Sequence, residues 1–167
     1  FGTANFVNPG GTDVFRFAPT DLDATALYNV EGDGNDTLEI LGTNNNDTID
    51  QTAANQFTTN GRNIHFVAAT IEAIRMASEA GSDAIDLNLD SLDSGVQRVI
   101  LDTADPTNGD DLHVVVTQSA TISQGATSTS GVITDGTDGQ VVHFANLETI
   151  NIASTTDDST LTVHATD

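Results

Sequence analysis

The sequence predicts an all-β fold, a parallel β-solenoid (β-helix or β-roll-like) of about six to seven coils of roughly 25 residues each. Three observations predict it. Apolar and polar residues alternate in short runs such as TLEIL (37–41), AIDLNL (84–89), TINI (149–152) and TLTV (160–163), and a period of two is that of a strand. The same frame of strand, polar turn and strand recurs along the chain. Only 5% of residues are aromatic and Trp is absent, which suits a narrow slot filled by Ile, Leu and Val rather than a bulky core. A unit of this size cannot bury its own apolar face, so units must stack. The runner-up is a β-sandwich, whose turn spacing is similar.

The frame is clearest in two stretches. In TIEAIRMASEAGSDAIDLNL (70–89), Ile71, Ile74 and Met76 precede a polar turn, and Ile85 and Leu87 follow it. In NLETINIASTTDDSTLTV (146–163), Leu147, Ile150 and Ile152 precede the turn, and Leu161 and Val163 follow it. Further copies start near residues 24 and 96. The wider gaps between copies hold TIDQ (48–51) and IHF (64–66), which resemble TISQ (121–124) and VHF (142–144). The chain therefore reads as one domain, 1–167, with a partial first coil over 1–23 and two related three-coil units, 24–95 and 96–167. NPGGTDVFRF (8–17) ends the first coil. Residues 68–80 are rich in Ala, Glu and Met and have helical propensity, but their register matches NLETINI and predicts a strand.

Charge narrows the function. Four arginines, no lysine and 25 acids give a net charge of −21. Such a surface repels nucleic acid and anionic membranes and attracts cations. There is no cysteine, so neither a disulfide framework nor a Cys-based zinc site can form. No apolar run is long enough to span a membrane. The first residue is Phe1 rather than Met, as expected of a processed or excised product.

The turns carry the candidate chemistry. The calcium nonapeptide G-G-x-G-x-D-x-U-x uses glycines for positive φ and an Asp as ligand. EGDGNDTLE (31–39) fits through Gly32, Gly34, Asp36 and Leu38. Asp47 with Ile49, Asp83 with Ile85, Asp13 with Phe15, and Asp110 with Leu112 repeat the later half of the pattern. Ser159 stands where the last copy needs Asp. Asp33 either adds a ligand beside Asp36 or faces water. The alternative for all of them is turn chemistry alone, since Asp and Asn side chains build Asx-turns.

These motifs resemble the RTX, or hemolysin-type, calcium-binding repeats, and more closely the degenerate solenoid segments of giant bacterial surface proteins. GTNNNDTID, TNGRNIHF, IEAIRM and EAGSDAIDL carry the likeness, well over 24–95 and loosely over 96–167. The resemblance implies calcium as the cofactor, held by Asp36, with Asp47, Asp83, Asp13 and Asp110 behind it. The loops here are not tandem nonapeptides, so isolated ions are expected rather than regular ladders.

Other chemistry is sparse. His65 and His143 occupy equivalent slots and read as structural, solvent-facing positions, as do Glu72 and Glu148. The neighbours Asp110–Asp111 and Asp157–Asp158 point to opposite faces of a strand and make poor acid–base pairs. NDT at 35–37 and 46–48 matches the glycosylation sequon but lies in the turns. No motif gathers Arg16, Arg62, Arg75 and Arg98.

The expectation is a non-catalytic, calcium-stabilised structural module at the cell surface or outside the cell: part of a surface layer, an adhesin or a self-assembling fibre. Its partners would be other copies of itself, end to end, or neighbouring domains. The alternatives are a carbohydrate-binding module or a polysaccharide-degrading β-helix enzyme.

Overall fold

The computed structural model describes residues 2–8, 10–104, 109–156 and 160–164. The fold is all-β, and the only helical element among these residues is a single 3-10 turn at Pro19–Asp21. Two sheets, A and B, share the strands, and the chain passes back and forth between them. β1 (Thr3–Val7) lies in A and β2 (Val14–Phe17) in B; β3 (Leu27–Glu31) returns to A and β4 (Thr37–Thr43) to B. Three strands then stay in A: β5 (Thr48–Ala53), β6 (Gln56–Thr59) and β7 (Arg62–Phe66). β8 (Ala73–Glu79), β9 (Ala84–Asn88), β10 (Arg98–Asp102) and β11 (Asp111–Val116) alternate B, A, B, A. Three strands stay in B: β12 (Ser119–Gln124), β13 (Gly131–Asp135) and β14 (Val141–Ala145). β15 (Thr149–Ser154) closes A and β16 (Thr160–His164) closes B.

From one end, sheet A runs β1-β3-β7-β6-β5-β9-β11-β15 and sheet B runs β2-β4-β8-β10-β14-β13-β12-β16. Pairs between successive circuits are parallel. The sequence reading expected parallel pairing throughout, but the sheets are mixed: β5–β6–β7 and β12–β13–β14 are antiparallel meanders. Local turn chemistry accounts for the first. Asn60 and Gly61 have φ of 49° and 75°, the paired positive angles of a tight hairpin turn, for which Asn-Gly is the favoured sequence. The series β3–β9 and β10–β16 have the same make-up, each with a meander in the middle, but in exchanged sheets. Each series visits a sheet five times, an odd number, so the second series starts on the opposite side.

The core consists of rows running across the strands. Leu38, Ile74, Val99, Val142 and Ile133 follow one another across β4, β8, β10, β14 and β13, all buried. Ile49, Ile85 and Leu112 do the same across β5, β9 and β11. β8 is a strand, as its register predicts and against its helical propensity, because Ile74 and Met76 continue the rows begun by Leu38 and Ile40. The few aromatics cluster. Phe57 and Phe66 stack at 6.4 Å, and Phe6, Phe17 and Tyr28 meet at the β1–β2 end. No helix of the described residues is long and apolar enough to cross a membrane.

Candidate functional site: carboxylates at the turns

The candidate aspartates fall into two columns. Asp13 and Asp36, followed by Glu72, precede strands β2, β4 and β8, where the chain enters sheet B. Asp47, Asp83 and Asp110, followed by Glu148, precede β5, β9, β11 and β15, where it enters sheet A. Asp36, Asp47, Asp83 and Asp110 are buried, Asp13 is half-buried and Asp33 is exposed.

One arrangement repeats along both columns. The backbone N–H of each Asp donates to the carboxylate of the next acid in the column: Asp13 to Asp36 Oδ1 at 2.8 Å, Asp36 to Glu72 Oε2 at 2.7 Å, Asp47 to Asp83 Oδ1 at 2.8 Å, Asp83 to Asp110 Oδ1 at 2.8 Å, and Asp110 to Glu148 Oε2 at 2.7 Å. The residue after that next acid donates its own N–H back to the carbonyl of the first Asp. The donors are Thr37 to Asp13, Ala73 to Asp36, Ala84 to Asp47, Asp111 to Asp83 and Thr149 to Asp110, at 2.9–3.1 Å. Each turn is thus clasped by two bonds from its successor. A buried N–H without an acceptor is costly, and the clasp supplies that acceptor where the ladder of the sheet has not yet begun.

Glu72 and Glu148 close the two columns of clasps. The sequence reading placed them as outward ladder positions, but the structure uses them as longer substitutes for Asp. The signal was present in the sequence: each stands one residue before a strand, as Asp36, Asp83 and Asp110 do. Asn60 was also missed. Its side-chain amide donates to Asp47 Oδ1, and its Oδ1 accepts the N–H of Thr48 at 3.0 Å.

The acids differ in their electrostatics. Burial alone would raise the Asp36 carboxyl, but backbone N–H groups of Asp13, Asp33 and Gly34 outweigh it and hold the group below its ordinary value. Both oxygens are occupied this way: Oδ1 by Asp13, and Oδ2 by Asp33 and Gly34 at 2.8 and 3.2 Å. Asp83 goes the other way. Burial, together with the charges of Asp110 and Asp47, raises it, against the lowering effect of Ser78 and the Asp47 N–H. Asp33 takes the N–H of Gly10 and so bridges two turns. The glycines make room for these carboxylates. A Cβ on Gly32 would lie 2.0 Å from Asp36 Oδ2, and one on Gly42 would lie 2.7 Å from Asp47 Oδ2.

Outside the columns, the topology gathers what the sequence left scattered. Arg16, Glu39 and Arg75 lie side by side on β2, β4 and β8, with Glu39 buried and ion-paired to both arginines. Arg98 lies on the same outer face, beside an open groove lined by Thr37, Glu72, Gln97 and His143. On the outer face of sheet A, Asp50 and Asp86 are register partners, and His113 Nδ1 lies 2.9 Å from Asp86 Oδ1. His65 is half-buried, with Nε2 2.9 Å from the Asn55 amide, rather than turned to solvent. Asp157, Asp158 and Ser159 lie outside the described residues. No group of three or more His, Cys, Asp or Glu among the described residues is placed to hold one metal ion.

Comparison with protein-family models, with curated proteins and with solved structures finds no match.

Proposed function

We propose that this chain is a non-catalytic extracellular structural module: a β-solenoid of six circuits, stabilised by calcium, serving in a surface layer, an adhesin or a fibre. The observation that carries the reading is the repeated clasp. Carboxylates at successive turns, those of Asp36, Asp83 and Asp110 buried, are used to join one circuit to the next, and the same two-bond unit recurs five times. That is the economy of a scaffold lengthened by repetition.

The best fit for calcium shifts from Asp36 to the other column. Asp36 has both oxygens taken by backbone N–H groups. Asp83 stands between Asp47 and Asp110 with its carboxyl raised by burial and by their charges, and a divalent cation there would relieve that repulsion. Asp83 and Asp110 would hold it; calcium prefers several such hard oxygens. The test is a melting curve with millimolar calcium and with EDTA. Saturation to about a hundred times the dissociation constant stabilises by about 2.7 kcal/mol, and Asp83→Asn should lose most of the gain while Asp36→Asn keeps it. Identical curves in calcium and EDTA would overturn the calcium part of the reading.

One observation favours a second reading, a module that binds an acidic glycan. Three of the four arginines share the outer face of sheet B, where Arg98 and His143 border the groove. A glycan array probed with the purified chain discriminates: retention on uronate or sulfated glycans, lost in Arg98→Ala, supports this reading over the scaffold.

A further inference from the structure

We propose that the Asn60–Gly61 turn is a modification site: a place of spontaneous deamidation that the closed first meander holds shut and that weakens the meander for good once it has reacted. The inference stands apart from calcium and from any glycan.

The reaction needs only water. The backbone nitrogen of Gly61, having lost its proton to solvent, adds to the side-chain amide carbon of Asn60. The bond from that carbon to Nδ2 then breaks, ammonia leaves, and a five-membered succinimide remains. Water opens the ring at one carbonyl or the other, giving aspartate or isoaspartate at position 60. A glycine in second place leaves the attacking nitrogen uncrowded. Gly61 is exposed, its φ is 75°, and a Cβ built on it would meet nothing within 4 Å.

The folded chain holds the amide by both of its polar atoms. Asn60 Nδ2 donates to Asp47 Oδ1, and Asn60 Oδ1 accepts the N–H of Thr48 at 3.0 Å. The main chain is fixed as well: the Asn60 N–H donates to the Thr48 carbonyl at 2.9 Å, and its own carbonyl accepts from Arg62 Nη1 at 2.8 Å. Addition at the amide carbon turns a planar group tetrahedral, so the plane in which Nδ2 and Oδ1 meet their partners is lost. The ring closes only after both side-chain bonds are given up. Conversion therefore passes through a local opening of β5–β6–β7, and its rate follows the population of that open form.

The product does not fit where the amide fitted. Asp47 Oδ1 faces a donor before the reaction and a second carboxylate after it. Like charges so close repel, and more strongly away from water; Asp47 is buried. Isoaspartate adds an atom to the main chain of a two-residue turn, so Thr59 and Arg62, register partners across β6 and β7, fall out of step. The damage lands on the acid that the β9 turn clasps. The second meander, 119–145, contains no asparagine, so the site belongs to one half of the chain. Each opening of the first meander carries a chance of conversion, and refolding does not reverse it.

The test uses the full chain in EDTA at mildly alkaline pH, folded in buffer and unfolded in urea, with peptide mapping by mass spectrometry over time. Two asparagines precede glycine, Asn60 and Asn108. In urea they should convert at similar rates, since no fold distinguishes them. In buffer Asn60 should convert at least about tenfold more slowly than in urea. Asn60→Asp supplies the product directly. Its melting temperature should lie below the parent's at neutral pH, and the gap should narrow on acidification, as one of the two facing carboxylates takes up a proton. Equal rates at Asn60 in buffer and in urea would overturn the gating. An Asn60→Asp chain that melts with the parent, or a gap that ignores pH, would overturn the consequence drawn from Asp47. Should that variant fail to fold, the two rates in the parent chain still decide the gating.

Discussion

Asp83 Oδ1 accepts the backbone N–H of Asp47 at 2.8 Å, and both residues are buried. This bond joins the turn before β5 to the turn before β9, so it can be tested as a contribution to stability. Asp83→Ala leaves a buried N–H without an acceptor, at a cost of about 1–3 kcal/mol. Asp83→Asn keeps an acceptor oxygen and removes a charge that its neighbours repel. In urea unfolding without calcium, alanine should be clearly destabilising and asparagine nearly neutral. Equal losses would mean that the charge rather than the clasp matters.

The pH profile should peak on the acid side of neutrality. Burial, then the charge of Asp86, raises Asp50 above its ordinary 3.8, and burial raises Asp83 likewise. A raised carboxyl binds its proton more tightly in the folded state, so stability falls as the pH climbs from 3.8 through the folded value and returns on acidification. Asp36 and Glu39 are held below their ordinary 3.8 and 4.5, so their contributions are present above those values and lost as the pH falls through the folded ones. Melting temperature in EDTA should rise as the pH is lowered through the raised folded values of Asp50 and Asp83, and fall again once the pH drops below the ordinary values of Asp36 and Glu39 toward their lowered folded ones. A steady decline from neutral pH downward would contradict the two raised acids.

The rows make a graded prediction for the core. Ile74 has a strand on each side and is fully buried, so Ile74→Ala should cost roughly 2–5 kcal/mol. Ile150 is half-buried at the end of its row and should cost less. Thr127, exposed in the β12–β13 turn, should cost little. Chemical denaturation of the three variants checks the order.

Glu39 separates a buried charge from its exposed partners. Its side chain is 3% exposed, whereas those of Arg16 and Arg75 are 64% and 42% exposed. Replacing the buried member by an apolar residue of similar size returns the arginines to water, and such exchanges are often neutral. Glu39→Met should therefore change stability by less than about 1 kcal/mol, while Arg75→Met, which strands part of a buried charge, should cost more, about 1–3 kcal/mol. The reverse order in thermal melts would refute this account.

Strand positions were legible because alternation and register are written in side-chain pattern. TIEAIRM and NLETINI announced β8 and β15 despite the helical propensity of the first. Strand direction was not legible in that pattern, because an alternating run reads the same in a parallel or an antiparallel pair. The cue for the first meander was the Asn60-Gly61 pair, a local turn signal easily read as part of a longer repeat. At the site, the spacing singled out Asp36, Asp47, Asp83 and Asp110 as turn acids, and the structure adds that all four are buried. It did not reveal what they hold, since an acceptor for a backbone N–H some 36 residues away in the chain leaves no mark near either end. Glu72 and Glu148 were hidden by chemistry rather than distance, a longer carboxylate occupying a column otherwise built of Asp.

Every clasp runs the same way in time as well as in space. The acid always belongs to the later circuit and the held turn to the earlier one. A chain emerging from its N-terminus therefore secures each turn only when the following one has been made, like a knitted row held by the next. The newest circuit is always the loosest, and a chain cut after any circuit loses the hold on one turn while those before it stay fastened. Growth and unravelling both belong to one end.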